Sequence, residues 1–254
     1  LITPKTALKL NQFFSTVSRD IRKNFKNERL IQILEFPVLF LGAKPTKTPS
    51  FYNFMNYADF GLGTWHPKTG MFDVVRGIEK LATELGVTIQ TNSAIEKIVV
   101  ENKIATGIVI NGEFIGADIV LSGADYHHTE TLLEEKHRVY SEKYWENRVF
   151  APSSLLFFVG FDKKIENISH HALFFDVDFN QHAAAIYDNP KWPEAPLFYA
   201  NFPSKTDKTA APEGMESGFF LIPLAPGIND TEALREAYFE KIITRFEQLT
   251  QQKI

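Results

Sequence analysis

One run of the chain, residues 72–125, leaves little freedom in how it can fold. "FDVVRGIEKLATELG" sets Val74, Val75, Ile78, Leu81, Ala82 and Leu85 on one face of a helix, and Gly86 stands where a helix is commonly capped. "VTIQTN" then alternates apolar and polar side chains, the period of a half-buried strand. "IEKIVVENKIATGIVINGEFIGADIVLSGAD" follows as short strands with turns at Glu101-Asn102 and at Asn111-Gly112, the second a strong hairpin signal. The last strand, Ile119-Val120-Leu121, is wholly apolar, as in a sheet covered on both faces. A helix, a strand and an antiparallel excursion returning to a buried strand point to part of a larger α/β nucleotide-binding domain.

The flanks differ from this run. Residues 6–35 read as helical in two pieces: Leu8, Phe13, Val17, Ile21 and Phe25 form one stripe, and Asn27 caps "ERLIQILEF", which stops at Pro37. Residues 37–70 are rich in aromatics, Gly and Pro, too much aromatic mass for an exposed loop, so they are expected to line a core or a cavity. From Val149 onward "SSLLFFVGFDK", "HHALFFD", "PLFYANFPS" and "GFFLIPLAPG" read as strands separated by Pro/Asp/Asn-rich turns. The helix "DTEALREAYFEKIITRFEQL" closes the chain, capped by Asp230 or Thr231. These strands and helices predict a second domain, an antiparallel sheet with helices packed on it.

Composition bounds the function. With 254 residues, 44% of them apolar, and 23 Phe, 8 Tyr and 3 Trp, the chain can bury one large core or two ordinary ones. A net charge of −4, from 27 basic and 31 acidic residues spread evenly, offers no cationic field to nucleic acid. The absence of cysteine excludes disulfides, thiolate metal sites and thiol catalysis. No apolar run reaches the roughly 18 residues of a membrane-spanning helix. The start "LITPKTALKL" has no Met and no signal-peptide layout, and "FEQLTQQKI" stops inside a helix, so both ends read as cut. His127-His128 is the obvious metal candidate, but adjacent side chains on an extended segment point to opposite faces, and no third ligand stands at a recurring spacing. That pair, like His170-His171, is read as packing, with metal ligands none.

The combination "FLGAKPTKTPSFYNFMNYADFGLGTWHPKTGM", "LATELGVTIQTNSAIEKIVVENKIATGIVI", "ADIVLSGADYHHTETLLEE" and "KWPEAPLFYANFPSKTDKTAAPEGMESGFFLIPLAPG" resembles, in order and over essentially the whole chain, the phytoene desaturase family of FAD-dependent carotenoid oxidoreductases. The resemblance implies an amine-oxidase-like fold of mixed α/β and α+β class: a partial FAD-binding, Rossmann-like segment plus a substrate domain of mixed antiparallel sheet with packed helices. Residues 67–128 would be the middle segment of the FAD domain, with 1–66 and 129–254 the two parts of the substrate domain. No GxGxxG phosphate-binding loop occurs; Gly61-Leu62-Gly63 continues as Thr-Trp-His. The chain therefore reads as an internal fragment.

The resemblance also implies site residues. Ser122, Gly123, Ala124 and Asp125 would be neighbours of the flavin, with Gly123 replacing an Asn common in relatives. Ile95 would meet the adenine through its backbone. "TWHPKTGM" would pass the isoalloxazine, bringing Lys68, Gly70 and Met71 to the cofactor, with Thr69-Gly70 where relatives show two glycines. Trp65, Phe40 and Tyr57 would line the polyene path. The implied activity is hydride removal from a carotenoid to flavin. A flavin-dependent carotenoid isomerase or a retinol-saturase-like enzyme is the alternative on the same scaffold, and a non-catalytic module for an apolar ligand is the alternative of another class. No acid–base dyad stands out as catalytic. An enzyme for a water-insoluble substrate without a spanning helix is expected at a bilayer surface, cytoplasmic and peripheral. Residues 36–60, beside Lys9, Arg19, Arg22, Lys23, Lys26 and Arg29, are the expected docking segment.

Overall fold

The computed structural model describes residues 10–148 and 150–254, without the side chains of residues 10, 11, 39 and 40. The described chain divides into two compact units, one of residues 74–150 and one of the remainder.

The N-terminal stripe breaks where its sequence spacing looked continuous. Leu8 lies outside the described residues. Val17 and Ile21 are buried as expected, but Phe13 and Phe25 are exposed. The cause is Thr16. Its extended backbone bridges to Pro49, and its hydroxyl accepts the Arg19 amide at 3.2 Å, so α1 (Val17–Asn24) starts there and Phe13 falls out of phase. Asn27 caps α2 (Glu28–Glu35) as expected, accepting the amides of Arg29 and Leu30. The chain then tightens into a 3-10 turn over Phe36–Leu41, which holds Pro37. Ile31 and Val38 join Val17 and Ile21 in a small core.

In the second unit, α3 (Phe72–Glu84) ends at Gly86 with the paired bonds of a Schellman cap, Gly86 N to Thr83 O at 3.0 Å and Val87 N to Ala82 O at 3.0 Å. Strands β1 (Ile95–Glu101), β2 (Ile104–Ile110) and β3 (Glu113–Gly116) form an antiparallel meander. Both two-residue turns have positive φ at each central residue, Asn102 and Lys103 in one and Asn111 and Gly112 in the other, the geometry that follows strand twist. The predicted strands 87–92 and 119–121 are unpaired among the described residues; Asn92 takes a φ of +55°, and Leu121 is 93% exposed. A strand becomes a ladder only with a neighbour, and none is present for these two. After the turn come α4 (Tyr126–Thr131) and α5 (Glu142–Glu146), tied together by a buried carboxylate. Glu130 accepts the Val139 amide at 2.7 Å and the Trp145 indole at 3.0 Å.

The first unit resumes with a four-stranded antiparallel sheet in the order β4 (Ser153–Phe161), β7 (Glu216–Leu224), β6 (Phe198–Asn201), β5 (His171–Phe174). Helix α6 (Phe179–Tyr187) lies between β5 and β6 in sequence, and α7 (Glu232–Thr250) follows β7, capped by the Thr231 hydroxyl on Leu234 N. Alternation gives the sheet two faces. Phe198, Ala200, Phe220, Ile222 and Leu224 point inward and pack against Tyr238, Ile242 and Phe246 of α7. Mixed helices and antiparallel sheets are the architecture expected from the sequence.

The two faces should answer differently to truncation. Phe220→Ala removes a fully buried ring and is expected to destabilise the protein by about 3–5 kcal/mol, whereas Phe158→Ala, on a side chain 79% exposed, should cost less than about 1 kcal/mol. Urea unfolding of the two variants measures the difference; equal losses would contradict a one-sided core.

Candidate functional site

The outer face of the four-stranded sheet is the most unusual surface of the first unit. Strand register aligns it in rows. Leu173 of β5, Tyr199 of β6, Leu221 of β7 and Leu156 of β4 form one row, and His171, Asn201, Phe219 and Phe158 form the next. Leu156, Phe158 and Leu173 are exposed, a contiguous apolar surface on strands whose other face is sealed. The rings of Phe158 and Phe219 lie 5.9 Å apart, and Tyr199 meets Phe219 edge-on at 5.7 Å.

One end of this face opens into a cavity of about 340 Å³. Leu173, Tyr199, Leu221 and Pro223 supply its sheet wall, and Phe179, Ala183 and Ile186 of α6 supply the opposite side. Phe36 and Leu41 of the 3-10 turn reach the same space. Gly42 is needed at this rim, because its φ is +64° and a Cβ there would meet the Pro152 ring at 2.8 Å.

The buried titratable group built into this wall is His182. The Leu197 amide donates to its Nδ1 at 2.9 Å, so the ring proton sits on Nε2 and is given to the Pro223 carbonyl at 2.8 Å. Burial, opposed by that carbonyl, pushes the imidazole below its ordinary value, and Arg245 adds to the lowering. His182 is thus a neutral clamp between β7 and the approach to β6.

A second polar cluster sits at the β5–β6 corner. Tyr199 Oη lies 2.5 Å from His171 Nδ1 and accepts from Asn201 Nδ2 at 2.8 Å. His170 stacks on His171 at 4.4 Å and lies 2.6 Å from the Thr206 hydroxyl through Nδ1. His66 approaches His170 edge-on at 5.2 Å, and its Nε2 stays 3.7 Å from Asp207 Oδ2, both atoms buried without a hydrogen bond.

The residues expected from the sequence fall into separate places. Ser122, Gly123, Ala124 and Asp125 form one exposed turn in the second unit. Asp125 caps α4 through the His128 amide at 3.0 Å, and Ser122 Oγ lies 2.7 Å from Thr129 Oγ1. Ile95 opens β1 opposite Ile110. His127 stacks on Trp145 at 5.0 Å and meets Glu142 at 3.0 Å. Lys68, Gly70 and Met71 belong to the first unit, in a turn closed by Gly70 N to Pro67 O at 3.1 Å. Tyr57 and Trp65 are exposed and are not part of the cavity wall, and the side chain of Phe40 lies outside the described residues. The aromatic segment 37–70 is thus only partly a lining. Phe54, Tyr57, Phe60 and Trp65 face solvent in the described structure.

For a flavin dinucleotide these residues fit in part. The 122–125 turn is open, with nothing within 4 Å of a Cβ built on Gly123, so a ligand can approach the backbone. The 254 residues contain no GxGxxG phosphate loop.

His182 and the β5–β6 corner are the site features that reading the sequence missed. Period-two alternation in "PLFYANFPS" separates Tyr199 and Asn201 from Phe198, Ala200 and Phe202, and would have flagged them.

Comparison with known proteins gives a consistent picture. The model of the "Flavin containing amine oxidoreductase" family matches residues 3–242. A carotenoid 3,4-desaturase of Haloarcula japonica is 36% identical over 91% of this chain and 47% of its own length. A zeta-carotene-forming phytoene desaturase of Myxococcus xanthus is 30% identical over 81% of this chain and 40% of its own. The chain thus spans about half the length of the curated relatives it matches. Among solved structures, an oxidoreductase from Methanosarcina mazei superposes with a TM-score of 0.66 at 19% identity, over 98% of this chain and 58% of the other, a likeness of fold.

The His182 clamp has a pH signature. The unfolded chain takes up a proton near the ordinary value of 6.5, and the fold refuses it. The stabilisation is therefore complete above about pH 6.5 and is lost as pH falls toward the depressed folded value. His170 and His171 are also lowered by burial and contribute with the same sign. Urea unfolding between about pH 7 and pH 5 should show stability falling with pH, and His182→Gln should flatten the slope. Identical slopes would contradict the neutral clamp.

Proposed function

Because the chain belongs to the flavin containing amine oxidoreductase family, we propose that it is part of an FAD-dependent carotenoid desaturase whose polyene lies along the outer face of the four-stranded sheet. The bare apolar rows Leu173–Leu221–Leu156 and Phe219–Phe158, continuous with the 340 Å³ cavity, carry this reading. A polyene has no hydrogen-bonding groups along its length, so apolar contact and shape are what can hold it.

FAD, when bound, accepts the hydride removed from the polyene. The chain's own residues do the rest. Leucine and phenylalanine rows orient an extended chain and exclude water from it. His182 holds the cavity wall in one arrangement and donates its Nε2 proton to the Pro223 carbonyl, so it exposes no charge to the substrate. We assign Ser122, Gly123, Ala124, Asp125, Ile95, Lys68, Gly70 and Met71 to the cofactor. Tyr57, Trp65 and Phe40 we assign to the path by which the polyene arrives.

Among the described residues no helix is long and apolar enough to cross a membrane. A peripheral surface fits the exposed Phe54, Tyr57, Phe60 and Trp65. Of the basic residues expected near them, Arg22 pairs with Glu28 and Glu35, and Lys26 bonds the Arg22 carbonyl. Arg19, Lys23 and Arg29 are therefore the better candidates for anionic headgroups, and Lys9 lies outside the described residues.

Two experiments test this function. Full-length protein carrying FAD, mixed anaerobically with phytoene or a partly desaturated polyene, should bleach its flavin and yield a product with two hydrogens fewer. A product altered only in double-bond geometry would identify an isomerase, and one with added hydrogens a saturase. In co-sedimentation with liposomes, binding should rise with anionic lipid and fall severalfold when Arg19, Lys23 and Arg29 become Gln. Protein that stays in the supernatant at every lipid composition would exclude the peripheral surface.

A further inference from the structure

A seat for a pure hydrocarbon has no use for polar groups, yet the outer sheet face carries three at one corner. His171 and Asn201 are directly paired across β5 and β6, and Tyr199 is two residues from Asn201 on the same face. Leu173, two residues from His171 along β5, already lines the cavity, so the corner lies roughly 6–7 Å further along the same track. The inner face of the same strands is occupied by Phe198, Ala200 and Phe174. The polarity is confined to the surface on which the polyene would lie.

The hydrogen bonds within the corner give it a direction. Asn201 Nδ2 donates to Tyr199 Oη at 2.8 Å and stands 3.1 Å from His171 Nδ1. Tyr199 in turn passes its hydroxyl hydrogen to His171 Nδ1 at 2.5 Å. With Nδ1 occupied as an acceptor, a neutral His171 carries its proton on Nε2. Desolvation, with His66 nearby, keeps this imidazole below its ordinary value against the opposing pull of Asp59, so it is neutral near pH 7. His170, stacked behind it at 4.4 Å and bonded to Thr206, fixes the plane of the ring. The result is an N–H donor, oriented from behind and exposed on an apolar face.

We propose that His171, supported by Tyr199 and Asn201, recognises an oxygen atom, hydroxyl or carbonyl, at one end of the polyene. This rests on the reading of the outer face as the polyene seat. A hydrocarbon end pressed against the corner leaves the Nε2 donor desolvated without a partner, whereas an oxygenated end replaces the water it loses. The corner therefore selects in both directions, favouring one substrate and penalising its deoxygenated twin. It makes these three side chains specificity-determining residues.

The test compares two polyenes that are alike except for one terminal hydroxyl, using full-length protein. Turnover gives the ratio of their kcat/KM values, and quenching of protein fluorescence gives the ratio of their affinities. Wild type should prefer the hydroxylated polyene by about tenfold or more, chiefly in KM. Tyr199→Phe and His171→Leu should each lower that ratio by several fold. His171→Gln, which keeps a side-chain N–H, should retain most of it, and this separates loss of a donor from loss of the fold. No preference in wild type, or a ratio that none of the variants moves, would overturn the inference. Preferential binding without turnover of either polyene would support the corner while removing the desaturase reading.

Discussion

Everything in the larger unit depends on α7 packing against one face of a four-stranded antiparallel sheet. Phe246 stacks on Phe202 at 5.7 Å and meets Phe220 edge-on at 5.3 Å, while Ile242 is wholly buried between strands and helix. Arg245, on the same helix, joins the Asp176 carboxylate and the Pro196 carbonyl, fixing the connections on either side of α6. At the far end of β7, buried Glu216 pairs with Lys205 at 3.0 Å and accepts from the Ser204 hydroxyl. These contacts satisfy one face of the sheet completely. Because strand alternation sends every second side chain the other way, the same sheet must present a second row of residues elsewhere.

That second row is where we propose the function lies. An exposed apolar surface is a liability in water unless something occupies it, and here it is continuous with a cavity framed by α6 and the 36–41 turn. The wall of that cavity has been kept neutral. His182, the one histidine buried in it, is locked in a single tautomer by an amide on one side and a carbonyl on the other. The polar groups at the β5–β6 corner are oriented from behind by a stack of imidazoles. On the proposed reading, an apolar seat with one polar corner is a more specific device than hydrophobicity alone, since it reads the end of a chain-like molecule as well as its length.

Local chemistry made much of the fold legible. The Asn111-Gly112 turn, the caps at Asn27 and Thr231, and the four strands between 153 and 224 all follow from signals within a few residues of each other. Where reading failed, distant contacts were in charge. Thr16 starts α1 because it bridges to Pro49, which no spacing of apolar residues in 8–25 reveals. Helix α6 was not foreseen because its apolar residues are mostly alanines, which mark a helix without marking a face. The corner at His171 depends on a register, His171 opposite Asn201, which exists only once β5 and β6 have paired. The 122–125 turn and Ile95 were read through family resemblance. The structure adds that the turn is open at Gly123 and that Asp125 and Ser122 are engaged with α4.

We place the polyene, as a proposal, on the outer face of the sheet. Leu221 is the most direct probe, since it lies in the middle row between Tyr199 and Leu156 and also lines the cavity, while its neighbours Phe220 and Ile222 belong to the sealed face. Polyene affinity should be measured by fluorescence quenching in the full-length protein carrying Leu221→Arg, with thermal unfolding followed in parallel. A charge placed in an apolar seat should weaken binding by more than about tenfold, with the melting temperature within a few degrees of wild type. Wild-type affinity in a folded Leu221→Arg protein would show that the polyene lies elsewhere.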